Sequence, residues 1–221
     1  MRAMFERLKA KARWVVAAVV ALVAPMWAAE FVDSVLFVGG LDRFGVRPRH
    51  LDGAWGVLFA PLLHGGVDHL GANTVGLVLL GGFVAAIGRR QWMLATALGW
   101  VGSGVGIWLF GSSGTHIGAS GVVFAYLGFL LLRGWYERSL GSVVVSLGVF
   151  SIFGGTLWGM VPIVAGEGVS WEGHLFGFLS GAAAAALLRR RHLVGSAPEA
   201  VSPTETSSSG DESCHGCRRP V

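Results

Sequence analysis

The chain has 221 residues, 53% of them hydrophobic and only 14% charged, where an ordinary soluble domain carries about 25% charge. Long apolar runs broken by short polar gaps exclude a simple water-soluble fold and point to an all-α, polytopic membrane protein. The formal net charge of +4 does not indicate nucleic acid, because the basic residues punctuate the apolar runs instead of clustering on one face.

Apolar runs fall at 14–38, 67–88, 92–110, 119–132, 140–164 and 172–188. A helix needs roughly 20 residues to cross a hydrocarbon core of ~30 Å; most of these runs can cross, and 119–132 looks short. The basic residues orient the spans. Arg2, Arg7, Lys9, Lys11 and Arg13 precede the first, Arg89 and Arg90 divide the second from the third, and Arg133 and Arg138 divide the fourth from the fifth. Arg189, Arg190 and Arg191 follow the sixth, and Arg218 and Arg219 lie in the tail. Six spans with both termini cytoplasmic put these fourteen on one side and only Arg43, Arg47 and Arg49 on the other, as the positive-inside rule asks. The sequence Ala28-Ala29-Glu30 imitates a signal-peptide junction, but Trp27 stands where a small residue is wanted, so the first run reads as a retained helix.

The organisation expected is a basic cytoplasmic segment (1–13), a six-helix membrane domain (14–191) with an external loop at about 39–66, and a disordered cytoplasmic tail (192–221). The loop mixes Trp55, Leu58 and Phe59 with Arg47, Arg49 and Asp52, which suits partial burial in the outer leaflet. In the tail, Cys214, His215 and Cys217 supply three ligands at most, short of the four that structural zinc takes, so no metal site is read there. No nucleotide or phosphate fingerprint is present and no cofactor is expected. His50, His116, His192 and His215 take structural or solvent-facing readings, with His116 at the mouth of any cavity near Ser120.

Depth singles out a few polar side chains. At 1.5 Å per residue, Ser120 lies roughly 20 Å from the boundary marked by Arg133, His174 roughly 22 Å from Arg189, and Asn73 roughly 24 Å from Arg89. Three helices thus bring polar groups to one level, about 10 Å beneath the outer surface for Ser120. His69 and Asn73 share a helix face, with His64 just before that helix. His174, Gly177 and Gly181 share another face, and the small-xxx-small pair Gly177/Gly181 admits a close neighbour. If that neighbour is the helix opening at Ser120, which carries Gly121 and Gly128, a hydroxyl and an imidazole meet as nucleophile and base. An α/β-hydrolase elbow is excluded, since Val122 replaces the second glycine of G-x-S-x-G and no preceding strand is evident.

Three motifs, "GASG" (Gly118 to Gly121), "HGGVDHLGAN" (His64 to Asn73) and "GHLFGFLSG" (Gly173 to Gly181), together resemble those of the rhomboid family of intramembrane serine proteases, over nearly all of 14–191. The resemblance implies a six-helix bundle of rhomboid type in a cell membrane. It implies a Ser120–His174 dyad without a buried carboxylate, and an oxyanion hole from His64, Asn73 and the Ser120 N–H. His69 falls on the family's second histidine of that helix. The implied substrates are single-span membrane proteins cut near the outer edge of their helix. The aromatic content of span five (Phe150, Phe153 and Trp158), and not the resemblance, makes that span the expected side of entry. Two departures stand out. Phe124 occupies the position of a common tyrosine, and the Trp-Arg pair many members carry in the first external loop is missing, Arg47-Pro48-Arg49 being the nearest basic feature. The rival readings are a catalytically silent relative that binds membrane proteins, and a small transporter.

Overall fold

The structure, a computed structural model, describes residues 1–166 and 168–195. Cys214, His215, Cys217 and the rest of the tail from 196 onward lie outside these residues, as does the side chain of His192. Among the described residues six principal helices form the bundle: α1 (Arg2–Phe37), α2 (Val67–Ile87), α3 (Arg89–Phe110), α4 (Ser120–Glu137), α5 (Leu140–Met160) and α6 (Trp171–Gly195). They fall on the six apolar runs. α1 begins twelve residues earlier than its run, because the basic segment is itself made of good helix formers (Ala, Arg, Leu, Lys) with a Glu6–Lys9 pair at 3.3 Å. α6 continues to Gly195, a few residues into the expected tail.

α1, α2, α3 and α5 are each long and apolar enough to cross a bilayer. α4 and α6 are less apolar, for a common reason: each opens on polar residues and ends among charges (Ser120 and Arg133 in α4, Glu172, His174 and Arg189 in α6). The chain is a multi-pass, all-helical membrane protein.

α4 is the axis of the bundle. Val122, Phe124, Ala125, Tyr126, Leu127, Phe129 and Leu130 are all buried, as expected of a helix apolar on every side and enclosed by neighbours. It packs against α2, α3, α5 and, most extensively, α6. The α4–α6 contact is close because a side chain at Gly177 would run into the backbone of Gly121, and one at Gly181 into that of Ala125. Inside the bundle the Tyr126 hydroxyl and Thr96 Oγ1 are 2.6 Å apart, while Thr96 Oγ1 also donates to the Trp92 carbonyl. Each buried hydroxyl therefore has a partner.

The connection from α1 to α2 lies on the site end of the bundle and is sewn to the loop before α4. Val46 and His116 exchange both backbone hydrogen bonds at 2.9 Å, the Gly118 N–H donates to the Ala60 carbonyl, and Arg49 Nη1 donates to the Gly111 carbonyl at 2.8 Å. Arg47 pairs with Asp52 at the surface. The Leu41 N–H donates to Asp33 Oδ1, closing the turn after α1. Beside it, burial followed by the charges of Asp33 and Glu30 pushes the Asp42 carboxyl above the usual carboxylate range.

Candidate active site

Ser120 is the first residue of α4. Its N–H, like the other leading N–H groups of the helix, has no acceptor within that helix, and the helix dipole makes this end attractive to negative charge. The chain reaches it through Gly118 at φ +107°, a conformation that side-chain-bearing residues rarely adopt. A Cβ at Gly118 would also lie 2.6 Å from the His69 ring. Glycine is required there on both counts.

Around this turn converge residues of α2 and of the segment just before it. His64 is 2% exposed and lies beside His69, ring centroids 5.1 Å apart. The Ala119 N–H donates to His64 Nε2 over 3.4 Å, and His64 Nδ1 is buried without a protein partner. Asn73 is buried, and one of its two amide hydrogens goes to the His69 carbonyl at 3.0 Å, leaving the other free. A Cβ at Gly118 would stand 3.6 Å from Asn73 Nδ2, so the amide reaches the approach to Ser120.

From the opposite side comes α6. His174 is stacked on Phe124, one turn below Ser120, with ring centroids 4.1 Å apart and planes 9° from parallel. Its Nδ1 lies 2.9 Å from the Gly159 carbonyl. A carbonyl only accepts, so Nδ1 carries the proton and Nε2 is left with its lone pair. Stacking and hydrogen bond together fix the ring in two directions. Between Nε2 and the Ser120 hydroxyl no hydrogen bond is formed; each is without a partner among the described residues. Gly121 and Gly177, the residues beside them, hold the two backbones in contact.

The rim is polar. The Ser112 N–H donates to Glu172 Oε1 at 2.7 Å, His116 Nδ1 is 2.8 Å from Ser170 Oγ, and His116 Nε2 is 2.9 Å from the Ser112 carbonyl. These bonds fasten the 111–117 loop to the start of α6 and so set α4 against α6 at the level of Ser120. His116 thus ties the rim together, and the His50 carbonyl accepts from Trp108 Nε1 at 2.9 Å on the outer loop. Sequence reading missed Gly159 and Glu172. Gly159 carried no signal, being one glycine among 35. Glu172, 2% exposed, offered one: an acid in the first turn of a helix that opens on a histidine.

The site therefore brings together every polar residue singled out from sequence: Ser120 at a helix N-terminus, His174 with one free ring nitrogen, and His64, His69 and Asn73 about the Gly118 turn. A helical membrane bundle with a hydroxyl, an oriented imidazole and amide donors in one polar cluster is the class that fold and site define. The sequence pattern of the Rhomboid domain matches residues 52–191, and the chain belongs to the rhomboid family. Similar proteins include uncharacterized proteins of Mycobacterium tuberculosis and Mycobacterium bovis, each 42% identical over 80% of this chain and 77% of their own length. One of Mycobacterium leprae is 38% identical over 80% of this chain and 73% of its own.

Proposed function

We propose that this protein is an intramembrane serine endopeptidase. The observation that carries this reading is the His174 ring, whose Nδ1 is held by the Gly159 carbonyl and whose face is held by Phe124, next to a serine that opens a helix. Nε2 takes the hydroxyl proton as Ser120 Oγ bonds to the substrate carbonyl carbon, and returns it to the departing amine as the peptide C–N bond breaks. Water then attacks the acyl-serine, with the same imidazole as base. The tetrahedral oxyanion is stabilised by the Ser120 N–H and the free hydrogen of Asn73 Nδ2. His64 joins them by releasing the Ala119 N–H and changing tautomer, its single ring proton passing from Nδ1 to Nε2 so that Nε2 becomes a donor.

The geometry expected of the protein in its membrane is six spans with both termini cytoplasmic, supported by the distribution of Arg and Lys. The site then faces outward in the plasma membrane. Substrates are single-span membrane proteins whose helices are weakened by Gly or Pro near the cut, because a regular membrane helix hides its carbonyls. The test is labelling by a fluorophosphonate, together with cleavage of a generic membrane-spanning substrate. Both disappear in Ser120→Ala, with cleavage down by roughly 10⁴-fold or more.

One observation favours a second reading, a catalytically silent relative that binds membrane proteins: Ser120 and His174 are not hydrogen-bonded. Catalytic contacts often tighten only with substrate bound, so labelling discriminates. A folded preparation that resists the fluorophosphonate overturns the protease reading.

A further inference from the structure

At the end of the bundle away from Ser120, α3 begins where α6 approaches its end, and between them lies a cavity of about 540 Å³. Its walls are Met93, Leu94 and Ala97 from α3 and Leu187 from α6, and its mouth carries Arg89 and Arg90. Both arginines are exposed, and among the described residues neither is paired with a carboxylate. The acids of this end are engaged elsewhere, Glu6 with Lys9 and Glu137 with Arg133. The guanidinium of Arg89 lies over the Trp14 ring, 4.5 Å from its centroid, and Trp14 meets Trp92 edge to face. Tryptophans of this kind mark the headgroup level of a bilayer.

The start of α3 adds a further attraction. No side chain caps this 22-residue helix, so its first N–H groups and dipole face the arginine mouth. Below that level Met93 (57% exposed) and Leu187 (46% exposed) leave the wall apolar and open to acyl chains. A cationic mouth over an apolar slot matches one amphiphile: a negatively charged headgroup on hydrocarbon tails.

We propose that the α3–α6 groove is a binding site for an anionic phospholipid, its phosphate held by Arg89, Arg90 and the α3 N-terminus and one acyl chain laid along Met93, Ala97 and Leu187. This depends on the chain spanning a bilayer and is independent of the protease reading. The lipid staples α3 to α6, the helix that carries His174, and so couples membrane charge to the stability of the bundle.

The experiment uses the full chain in neutral detergent, titrated with phosphatidylglycerol or phosphatidylcholine, with lipid retention read by native mass spectrometry and the thermal midpoint by unfolding. Phosphatidylglycerol is retained and raises the midpoint, while phosphatidylcholine does neither. Arg90→Gln weakens phosphatidylglycerol binding about fivefold, and adding Arg89→Gln about fivefold more. Because Arg89 also packs on Trp14, Ala97→Trp serves as a second probe: at an exposed position it fills the groove with both charges intact, and retention is lost. Equal binding of the two lipids, wild-type retention in both Arg90→Gln and Ala97→Trp, or the same midpoint shift from inorganic phosphate alone each overturns the proposal.

Discussion

Two helices flank α4, and they are attached to it in opposite ways. Along α6, glycines at 177 and 181 let backbone touch backbone, and the seam is locked at the rim by Glu172, His116 and Ser170. Along α5 the most apolar stretch is only 11% buried, against 39% for α2. Phe150 and Ile152 are exposed, and Trp158 is 63% exposed. α5 is fixed near its beginning, where Ser146 Oγ donates to the Leu130 carbonyl at 2.7 Å and accepts from the Gly134 N–H. Phe153 alone of its three large aromatic residues packs partly onto the core. In water such a face would demand a partner. In hydrocarbon it demands nothing, since lipid solvates it as well as protein does. The closely packed seam carries the candidate chemistry; the lipid-facing helix borders it.

The comparison can be broken first on its closely packed side. Gly181→Val drives a branched side chain into the Ala125 backbone, so the expected result is a collapsed thermal midpoint and no cleavage. A variant that keeps the wild-type midpoint would show that α4 and α6 are not held backbone to backbone. Next in size, on the protease reading, Asn73→Ala removes one donor from the proposed oxyanion position and is expected to lower the cleavage rate by ~10²–10³ with little change in folding. A smaller effect is expected of Phe124→Ala. An aromatic stack is worth roughly 0.5–1.5 kcal/mol, so turnover falls about threefold to tenfold while the Gly159 hydrogen bond still holds the ring. Phe124→Tyr keeps the stack and should retain near-normal turnover. Smallest of all is Ile152→Ala on α5. At 75% exposure it changes only a lipid-facing surface and shifts stability by less than about 0.5 kcal/mol. A large loss in thermal unfolding would mean that α5 is packed as firmly as α6.

Much of this was legible in the sequence, for physical reasons that differ by element. The apolar runs located the helices because hydrocarbon tolerates few interruptions, and Arg89, Arg133 and Arg189 marked their ends. Ser120, His174, Asn73 and His64 stood out because polar groups are costly at that depth, and the Gly177/Gly181 spacing forecast the close crossing. The start of α1 was not legible, since an amphiphilic basic helix carries no sign of where lipid ends and helix continues. Gly159 was hidden because its contribution is a backbone carbonyl, identical in every residue, brought to His174 by the fold across fifteen positions. The His116 clamp was hidden likewise, its partners Ser112, Ser170 and Val46 being set by loop geometry that no periodicity encodes.

The carbonyl that steadies His174 belongs to the final turn of α5, whose most apolar stretch is the least buried of the four long apolar helices. Were that turn displaced, the Gly159 oxygen would part from Nδ1 and the ring would lose one of its two restraints, keeping only the Phe124 face.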